Sequence, residues 1–361
     1  MDIKTKEKTV LTVNGSDCTG GAGMQADIKT IATLGAYAVS AITSITLQNT
    51  LGIQQFYDLP ASIISGQIEA IVNDVQPDVM KVGMVRNVEQ LFVIAEAIDR
   101  YHIKEVVYDP VVFSSYGEEL MNSNVMREVK SQLLGHCSLI TIKQRDAEYL
   151  LGLSSEQKVY EENLIVERLK QNGCKAVLLR RNDGTDVLYN CLETGQEVCF
   201  TGTNSLQPSH GALGILSAAI AVNLCKPIDL QTAVAMAHDY VDHLMVYSSE
   251  LKGRSSELYN DFVNAVATHY KDNSDVHFYA NLLNVGGRYL AQVTKRIAGK
   301  TPKNIIDEYL MKESLVLLST TSKTVQEVAY ELGFNTQAHF ARFFKKMKGC
   351  SPTEYRSIKQ I

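Results

Sequence analysis

Short β-branched apolar runs alternate with longer amphipathic stretches from residue 8 to residue 246. The apolar runs predict strands at residues 9–13, 38–46, 79–82, 105–109, 139–141 and 176–180. The stretches with apolar residues at helical spacing predict helices at 24–34, 61–72, 88–101, 123–134, 161–172, 210–224 and 230–247. This alternation indicates an α/β domain with a mainly parallel sheet covered by helices on both faces.

The pattern changes after residue 247. Residues 248–256 are short, polar and include Gly253, which is typical of an interdomain linker. Beyond it the apolar spacing is helical to the end, with no strand run. We therefore predict a first domain at residues 1–247, a linker at 248–256 and an all-helical second domain at 257–361.

Net charge also differs between the first and last parts of the chain. The 361 residues carry 35 Lys and Arg against 40 Asp and Glu, a net charge of −5. Residues 271–361 hold 14 basic against 8 acidic residues, a net of +6, which leaves a net of −11 for residues 1–270. Such asymmetry favours an acidic body with a nucleic-acid-facing basic end, although charge alone is equally compatible with chance variation between domains.

Composition excludes several classes of protein. A hydrophobic share of 45% is too high for a disordered chain. The longest apolar stretch, residues 211–222, is too short to span a bilayer, and the first residues lack the apolar run of a signal peptide. We therefore expect a cytoplasmic protein. The 7 cysteines show no CxxC pair, so we expect reduced thiols and no metal site.

Two segments of the second domain have the same helix-turn-helix pattern. In one, apolar residues at helical spacing lie on each side of Gly333; in the other they lie on each side of Gly286 and Gly287. The second helix of each unit carries polar and cationic residues suited to DNA. The candidates are Arg288, Gln292, Lys295, Thr336, Gln337, His339, Arg342, Lys345 and Lys346.

Within that set, Arg and Gln suit base edges, because each can make two hydrogen bonds to one base. Arg288, Gln292, Gln337 and Arg342 are therefore the candidates for base contact, and the lysines are candidates for phosphate contact. Both units close with the pattern Gly-x-Thr/Ser-Pro, at residues 299–302 and 349–352. With this repeat, residues 258–356 resemble the paired helix-turn-helix domain of AraC-type transcription regulators. The resemblance implies promoter DNA as a partner.

A glycine-rich loop follows the first predicted strand. Gly21, Gly23 and Ala26 fit the loose dinucleotide-binding pattern, but the next strand ends without the acidic residue that would bind ribose. This disfavours a Rossmann oxidoreductase. A longer series of motifs fits better: GSDCTGGAGMQADIKT, QNT at 48–50, KVGM at 81–84, DPV at 109–111 and SHGALGILSAAIA at 209–221.

In order and spacing these motifs resemble the hydroxymethylpyrimidine and phosphomethylpyrimidine kinases of the ribokinase superfamily. The resemblance implies a ribokinase-like three-layer α/β fold. It also implies that an aromatic ring is held by a set of residues that we call the ring site: Gly15, Asp17, Ala22, Gln48, Met84 and Val111. Gln48 has both a donor and an acceptor, which suits an amine beside a ring nitrogen.

The chain departs from these kinases at the positions that would transfer phosphate. The family's HGTGC motif becomes His210, Gly211, Ala212, Leu213 and Gly214, so glycine occupies the position of the catalytic base. Leu213 replaces a glycine, and we expect it to distort the backbone that would bind the phosphoryl group.

Two further motifs differ on the nucleotide side. The family's TPNxxE becomes residues 141–146, with Lys143 in place of Asn, and its Lys-Gly-Gly becomes residues 180–182, with two arginines. We therefore expect inefficient phosphoryl transfer, with Cys18, Asp109 or His210 as alternative proton acceptors. ATP and magnesium would be needed only if the domain is active.

These features together predict a dimeric transcription regulator that senses a small heteroaromatic vitamin precursor through a degenerate kinase domain. Hydroxymethylpyrimidine or its phosphate is the first candidate ligand, and a B6 vitamer is the second. Two alternatives stay open: an active kinase that also binds DNA, and a constitutive DNA-binding protein whose first domain only dimerises.

Overall fold

The computed structural model describes residues 7–114, 117–153, 162–191, 197–200, 211–247 and 253–359. The described chain divides into two compact units between Leu251 and Lys252, inside the segment predicted as a linker. The helix that opens the second unit begins at Ser255, so the last two residues of that predicted linker are helical.

The first unit contains a nine-stranded sheet in the order β3-β2-β1-β4-β5-β6-β7-β8-β9. Pairing is parallel from β2 through β7, and β3, β8 and β9 are antiparallel additions at the two edges. The strands are β1 (Thr9–Ser16), β2 (Tyr37–Asn49), β3 (Gly52–Asp58), β4 (Val79–Val82), β5 (Val106–Tyr108), β6 (Leu139–Lys143), β7 (Ala176–Arg180), β8 (Asp186–Asn190) and β9 (Glu197–Phe200).

Eight helices accompany this sheet in the described residues. They are α1 (Gly23–Thr33), α2 (Ala61–Asp74), α3 (Val88–Arg100), α4 (Ser123–Glu128), α5 (Gln144–Leu150), α6 (Glu162–Gln171), α7 (Ala212–Leu224) and α8 (Leu230–Tyr247). The predicted helix at 123–134 continues beyond α4 as a short π-helical turn and a 3-10 turn, up to His136.

Each face of the sheet has its own hydrophobic core. Ile64, Leu91 and Ile165 of the helices α2, α3 and α6 belong to one core, together with strand residues such as Leu11 and Tyr108. The core on the opposite face joins α1, α7 and α8 to the alternate strand residues, including Val10, Val107 and Leu139. Buried apolar side chains thus alternate along the central strands, as expected for a sheet covered on both faces. The predicted three-layer α/β fold is confirmed.

The second unit is helical throughout its described residues. Its helices are α9 (Ser255–His269), α10 (Val276–Leu282), α11 (Gly287–Ala298), α12 (Pro302–Thr320), α13 (Val325–Glu331), α14 (Gln337–Lys348) and α15 (Pro352–Lys359). The pairs α10–α11 and α13–α14 form the two predicted helix-turn-helix units. No helix in the described part of the chain is long and apolar enough to cross a membrane.

Both Gly-x-Thr/Ser-Pro patterns form helix junctions. Gly299 and Gly349 end α11 and α14 with positive φ angles of 69° and 84°, a conformation that glycine adopts without strain. Thr301 then caps α12 by accepting a hydrogen bond from the Asn304 backbone N–H at 3.2 Å. Proline follows as the first helical residue in both cases, where its missing N–H costs nothing.

The turn of the first helix-turn-helix unit differs from its prediction. Gly286 and Gly287 were expected to form it, but Gly286 has an ordinary φ of −69° and caps α11. The left-handed residue is Asn284, at φ 53°. In the second unit Gly333 takes the left-handed role at φ 82°, and a Cβ there would lie 1.8 Å from the Lys271 carbonyl oxygen. Asparagine tolerates this conformation in the first unit.

Candidate functional site

The glycine-rich loop, residues 17–22, connects β1 to α1 and is organised by Asp17. One carboxylate oxygen of Asp17 accepts hydrogen bonds from the Thr19 backbone N–H at 2.9 Å and from its hydroxyl at 2.8 Å. The other accepts from the Ala22 backbone N–H at 2.9 Å. The Asp17 N–H donates to the Gln25 side chain at 2.8 Å. The nearly buried carboxylate of Asp17 therefore shapes the loop through contacts that sequence reasoning did not predict.

The end of β1 lies against Met84. A Cβ on Gly15 would lie 2.2 Å from the Met84 methyl group, so a larger residue there would displace the flexible Met84 side chain. Asn14 fixes the two segments by accepting hydrogen bonds at 2.8 Å from the backbone N–H groups of Gly15 and Met84. A Cβ on Gly23, where α1 begins, would lie 2.5 Å from the Gly15 carbonyl oxygen. Two predicted ring-site residues, Gly15 and Met84, are thus in contact.

Gln48, near the end of β2, approaches the same loop. The Cys18 thiol donates to the Gln48 carbonyl at 3.0 Å, and the Thr46 hydroxyl reaches the Gln48 side-chain oxygen at 3.3 Å. Thr46 also donates to the Ser16 carbonyl at 2.7 Å, which joins β2 to the end of β1. Gln48 is half-buried. The side chain therefore stands beside the glycine-rich loop.

The remaining ring-site residues lie at the same end of the sheet, where the parallel strands reach their carboxyl ends. We call this the carboxyl edge of the sheet. Ala22 closes the glycine-rich loop, and a Cβ on Gly211 would lie 3.0 Å from its Cα and 2.1 Å from the Gly21 carbonyl oxygen. The first and last sequence motifs of this domain therefore touch. Val111, which is half-buried, lies two residues beyond Asp109, just after β5. The predicted residues thus lie near the carboxyl ends of β1, β2, β4 and β5.

A buried ion pair beneath this edge was missed by sequence reasoning. The Lys81 ammonium lies 2.9 Å from both carboxylate oxygens of Asp27, and both side chains are buried. Asp27 also accepts from the Thr12 hydroxyl at 2.6 Å and from the Asn14 amide at 2.9 Å. Through Asn14, this cluster positions Gly15 and Met84. The signal was a lysine inside the otherwise apolar strand Val79–Val82.

The start of α7 keeps its helical geometry. Gly211 is the N-cap with φ 82°, and the first residues of α7 are Ala212, Leu213 and Gly214. Leu213 is helical, and its side chain is buried in the core that contains α7. The distortion expected from Leu213 is therefore wrong, because the left-handed conformation falls on a glycine that the chain has kept.

Gly214, the position of the family's base, faces Asp109. A Cβ on Gly214 would lie 3.5 Å from an Asp109 carboxylate oxygen, an ordinary van der Waals distance. The Ser217 hydroxyl lies 3.4 Å from that oxygen and donates to the Gly214 carbonyl at 2.9 Å. Burial raises the pKa of Asp109, an effect partly offset by Lys81. Asp109 is thus the carboxylate nearest to the missing base, whereas His210 lies outside the described residues.

The residues that replace TPNxxE carry charges of both signs. Thr141 and Lys143 lie on β6, and Asp146 lies in the first turn of α5. Burial raises the pKa of Asp146 to about 6; the charge of Lys143 lowers this pKa and that of Asp109 raises it. Thr141 is fully buried, and within the described part of the chain its hydroxyl has no hydrogen-bond partner. Two carboxylates and one ammonium therefore meet at this edge.

The two arginines in the altered Lys-Gly-Gly motif are held by carboxylates. Arg180 makes two hydrogen bonds to the buried Asp186 of β8, at 2.8 and 2.6 Å. Arg181 donates to Glu162 at 2.7 Å, and the Tyr189 hydroxyl donates to the same oxygen at 2.8 Å. These ion pairs tie β7 to β8 and to the start of α6.

In the second unit, α11 and α14 each bury an apolar face in a hydrophobic core and expose a polar face. Leu290 and Val293 of α11 are buried, as are Phe340 and Phe344 of α14. The DNA-contact candidates Arg288, Lys295, Thr336, Gln337, His339, Arg342, Lys345 and Lys346 are exposed, and Gln292 is half-buried. Thr336 also caps α14 by accepting from the His339 backbone N–H at 3.1 Å.

Comparison with known proteins agrees with both halves of this structure. A family model described as phosphomethylpyrimidine kinase matches residues 17–258, more than half of the chain. The chain belongs to the phosphomethylpyrimidine kinase family. A second model, described as a helix-turn-helix domain, matches residues 279–358 and covers both units of the AraC-type DNA-binding domain. The chain therefore joins a domain of the kinase family to a DNA-binding domain.

Relatives and solved structures of this family are similar to about two thirds of this chain. The hydroxymethylpyrimidine/phosphomethylpyrimidine kinase of Escherichia coli K12 is 36% identical over 224 residues, 60% of this chain and 82% of the relative. The probable thiamine biosynthetic bifunctional enzyme of rice, Oryza sativa subsp. japonica, is 33% identical over 250 residues. That alignment covers 67% of this chain and 45% of the rice enzyme, so this chain spans about half of that relative.

Two crystal structures show the same fold. Phosphomethylpyrimidine kinase from Clostridium difficile 630 has a TM-score of 0.57 at 30% identity, covering 66% of this chain and all of the enzyme. Pyridoxal kinase from Bacillus subtilis, in complex with ADP, has a TM-score of 0.60 at 26% identity, covering 68% of this chain and 94% of the enzyme.

Kinases of this family use ATP and magnesium, and the residues at this edge fit a magnesium ion poorly. Magnesium prefers oxygen ligands and binds to proteins through one or two carboxylates. Asp109 and Asp146 supply carboxylates, but the Lys143 ammonium shares their surroundings. Among the described residues, no group of three His, Cys, Asp or Glu side chains could hold a metal ion.

Proposed function

We propose that this protein is a DNA-binding regulator whose kinase-family domain senses a small heteroaromatic ligand and transfers phosphate inefficiently, if at all. The observation that carries the proposal is the contrast between two neighbouring sites. The residues proposed for the ring site lie close together, with Gly15 against Met84 and Gln48 beside the glycine-rich loop. The position of the base, Gly214, has no side chain, and Lys143 replaces the Asn of the phosphate-side motif.

Relatives indicate the class of ligand. Those with named substrates are hydroxymethylpyrimidine and phosphomethylpyrimidine kinases, and neighbouring structures include pyridoxal kinases. Both substrate types are substituted heteroaromatic rings with a hydroxymethyl arm. A pyrimidine is favoured because the half-buried Gln48 offers a donor and an acceptor, which match an amine beside a ring nitrogen. We also propose that the protein is a homodimer and that its second unit binds promoter DNA.

Calorimetry of the full chain with hydroxymethylpyrimidine, its phosphate, pyridoxal and pyridoxine tests the sensing function. The proposal predicts saturable heat with at least one compound, and Gln48→Ala should weaken that binding by about tenfold, the effect of losing paired hydrogen bonds. The matched control is the exposed Gln326→Ala in the other unit. Absence of heat with every compound would instead favour a first domain that only dimerises.

One observation supports the alternative of an active kinase that also binds DNA. Asp109 lies where a side chain on Gly214 would reach, and burial raises its pKa toward the range useful for a general base. A coupled assay of ADP release with hydroxymethylpyrimidine and magnesium ATP distinguishes the two functions. Turnover that Gln48→Ala and Asp109→Asn abolish would establish the kinase. If the wild type shows no turnover and Gly214→Cys gains it, the loss of activity lies in the missing base.

A further inference from the structure

At the carboxyl edge of the sheet, next to the ring site, Lys143 lies near the carboxylates of Asp109 and Asp146. In β5 and β6 the pairing of Tyr108 with Ile140 places Asp109 beside Thr141. Residues 107 and 139 belong to the core that contains α7, so Asp109, Thr141 and Lys143 follow on the same face at two-residue steps. Asp146 lies in the first turn of α5, three residues after Lys143. Lys143 is therefore close enough to act on both buried carboxylates.

The electrostatic influence of Lys143 is consistent with this placement. Its positive charge lowers the pKa of both Asp109 and Asp146, whereas burial raises both. The Lys143 side chain is exposed, and the described residues supply no ion pair or hydrogen bond that would occupy its ammonium. Fully buried Thr141 adds, on the same face, a hydroxyl that has no hydrogen-bond partner among the described residues. An ammonium and a neutral hydroxyl thus lie close to the two carboxylates.

We propose that the Lys143 ammonium takes the place of a divalent cation at this edge, so that the domain accepts a phosphate-bearing ligand without a metal. A cation such as magnesium would otherwise balance two carboxylates and the ligand's phosphate together. An ammonium that belongs to the chain supplies one positive charge without the need to bind a metal ion first. Thr141 and the N-terminal end of α7 supply neutral hydrogen-bond donors. This inference rests on the proposed function, because it assumes that the ligand's polar arm points to this edge.

Magnesium chloride alone is the first probe, and it needs no ligand. Thermal unfolding of the full chain, followed by circular dichroism because the protein has no Trp, should be unchanged by magnesium in the wild type. In Lys143→Asn, which restores the residue typical of the kinases, magnesium should raise the midpoint, because an ion that binds only the folded state stabilises it. Lys143→Arg keeps the charge and should behave as the wild type does. A wild type stabilised by magnesium, or a Lys143→Asn variant that ignores it, would overturn the inference.

Hydroxymethylpyrimidine and its phosphate are the second probes, titrated calorimetrically in magnesium or in EDTA. The wild type should bind the phosphate equally well in both, and Lys143→Asn in EDTA should lose about tenfold or more in affinity for the phosphate alone. Lys175→Asn, an equal charge change at the opposite end of the strands, is the matched control. If neither compound binds, a pyrimidine is excluded as the ligand of the proposed function, and the magnesium experiment still decides the role of Lys143.

Discussion

At the scale of single residues, a buried charge cluster supports two of the residues proposed for the ring site. Lys81 and Asp27 form an ion pair at 2.9 Å. Asn14 donates a hydrogen bond to Asp27 and accepts hydrogen bonds from the backbone N–H groups of Gly15 and Met84, which links the ion pair to these two residues. A buried pair contributes little net stability compared with apolar residues, but loss of one partner leaves the other charge uncompensated. The cluster therefore makes the geometry of the site sensitive to substitutions far from the ligand.

Lys81→Met should lower the free energy of unfolding by about 3–5 kcal/mol, because Asp27 would remain buried without its counter-charge. Urea unfolding followed by circular dichroism measures this change. The exposed Lys104→Met is the control and should alter stability by less than about 0.5 kcal/mol. Equal effects of the two substitutions would contradict the structural role assigned to Lys81.

Asp146 gives a prediction about pH. Burial raises its pKa from 3.8 to about 6, so the ionised carboxylate disfavours the folded state above that pH. The penalty shrinks as pH falls from the folded pKa to the unfolded pKa and is lost below both values, where both states are protonated. Asp146→Asn should therefore raise the free energy of unfolding near pH 7.5 by up to about 3 kcal/mol, and by only about 0.6 kcal/mol near pH 4.

The same urea titrations at several pH values measure the effect of Asp146→Asn. Asparagine can still accept the hydrogen bond that the Phe113 backbone N–H gives to Asp146. Glu96→Gln, on the exposed face of α3, is the control and should show no comparable pH dependence. A gain of equal size at both pH values would contradict the account.

At the scale of elements, the sequence predicted the buried parallel strands and long helices because their apolar spacing is regular. The edge strand β3 was missed, since Gly52–Asp58 is half-exposed and polar, and β8 and β9 are short antiparallel additions. Helix α5 was missed because Gln144–Leu150 was interpreted only as part of a phosphate-side motif. Pattern alone did not indicate that a lysine and two carboxylates would meet there.

The second helix-turn-helix unit predicts two different effects on DNA binding. Arg342→Ala on α14 should weaken the free energy of binding to the preferred DNA sequence by about 1–3 kcal/mol. It should also reduce the preference for that sequence, as expected for a base contact. Lys345→Ala should weaken binding to all sequences and reduce the slope of log affinity against log salt by about one.

Fluorescence anisotropy with a duplex selected by the full chain from random sequences, and with a scrambled duplex, separates these effects. Lys312→Ala, an exposed lysine on α12, is the control and should change neither affinity nor salt slope. The prediction for Arg342 would be wrong if its substitution weakened both duplexes equally.

At the scale of the whole molecule, the two units join a ring site to a DNA-binding domain in one chain. Net charge averaged over the chain, −5, conceals this division, whereas the motifs and the charge asymmetry indicated it before the structure did. The closeness of the residues predicted as the ring site follows from motifs that occur in order near the carboxyl ends of β1, β2, β4 and β5, and their role as a ring site stays a prediction. The supporting cluster was not predicted, because its side chains meet only in the folded domain.

The central claim is that ligand binding and DNA binding are coupled in this chain. A ligand achieves such coupling only if it favours one state of the protein over another, and the coupling is reciprocal. The direct measurement is the dissociation constant for the selected duplex, without ligand and with each pyrimidine and B6 vitamer at saturation. We predict a change of about fivefold or more with one compound, in either direction, and no change in Gln48→Ala. A compound that binds with measurable heat and leaves the dissociation constant unchanged would contradict the account.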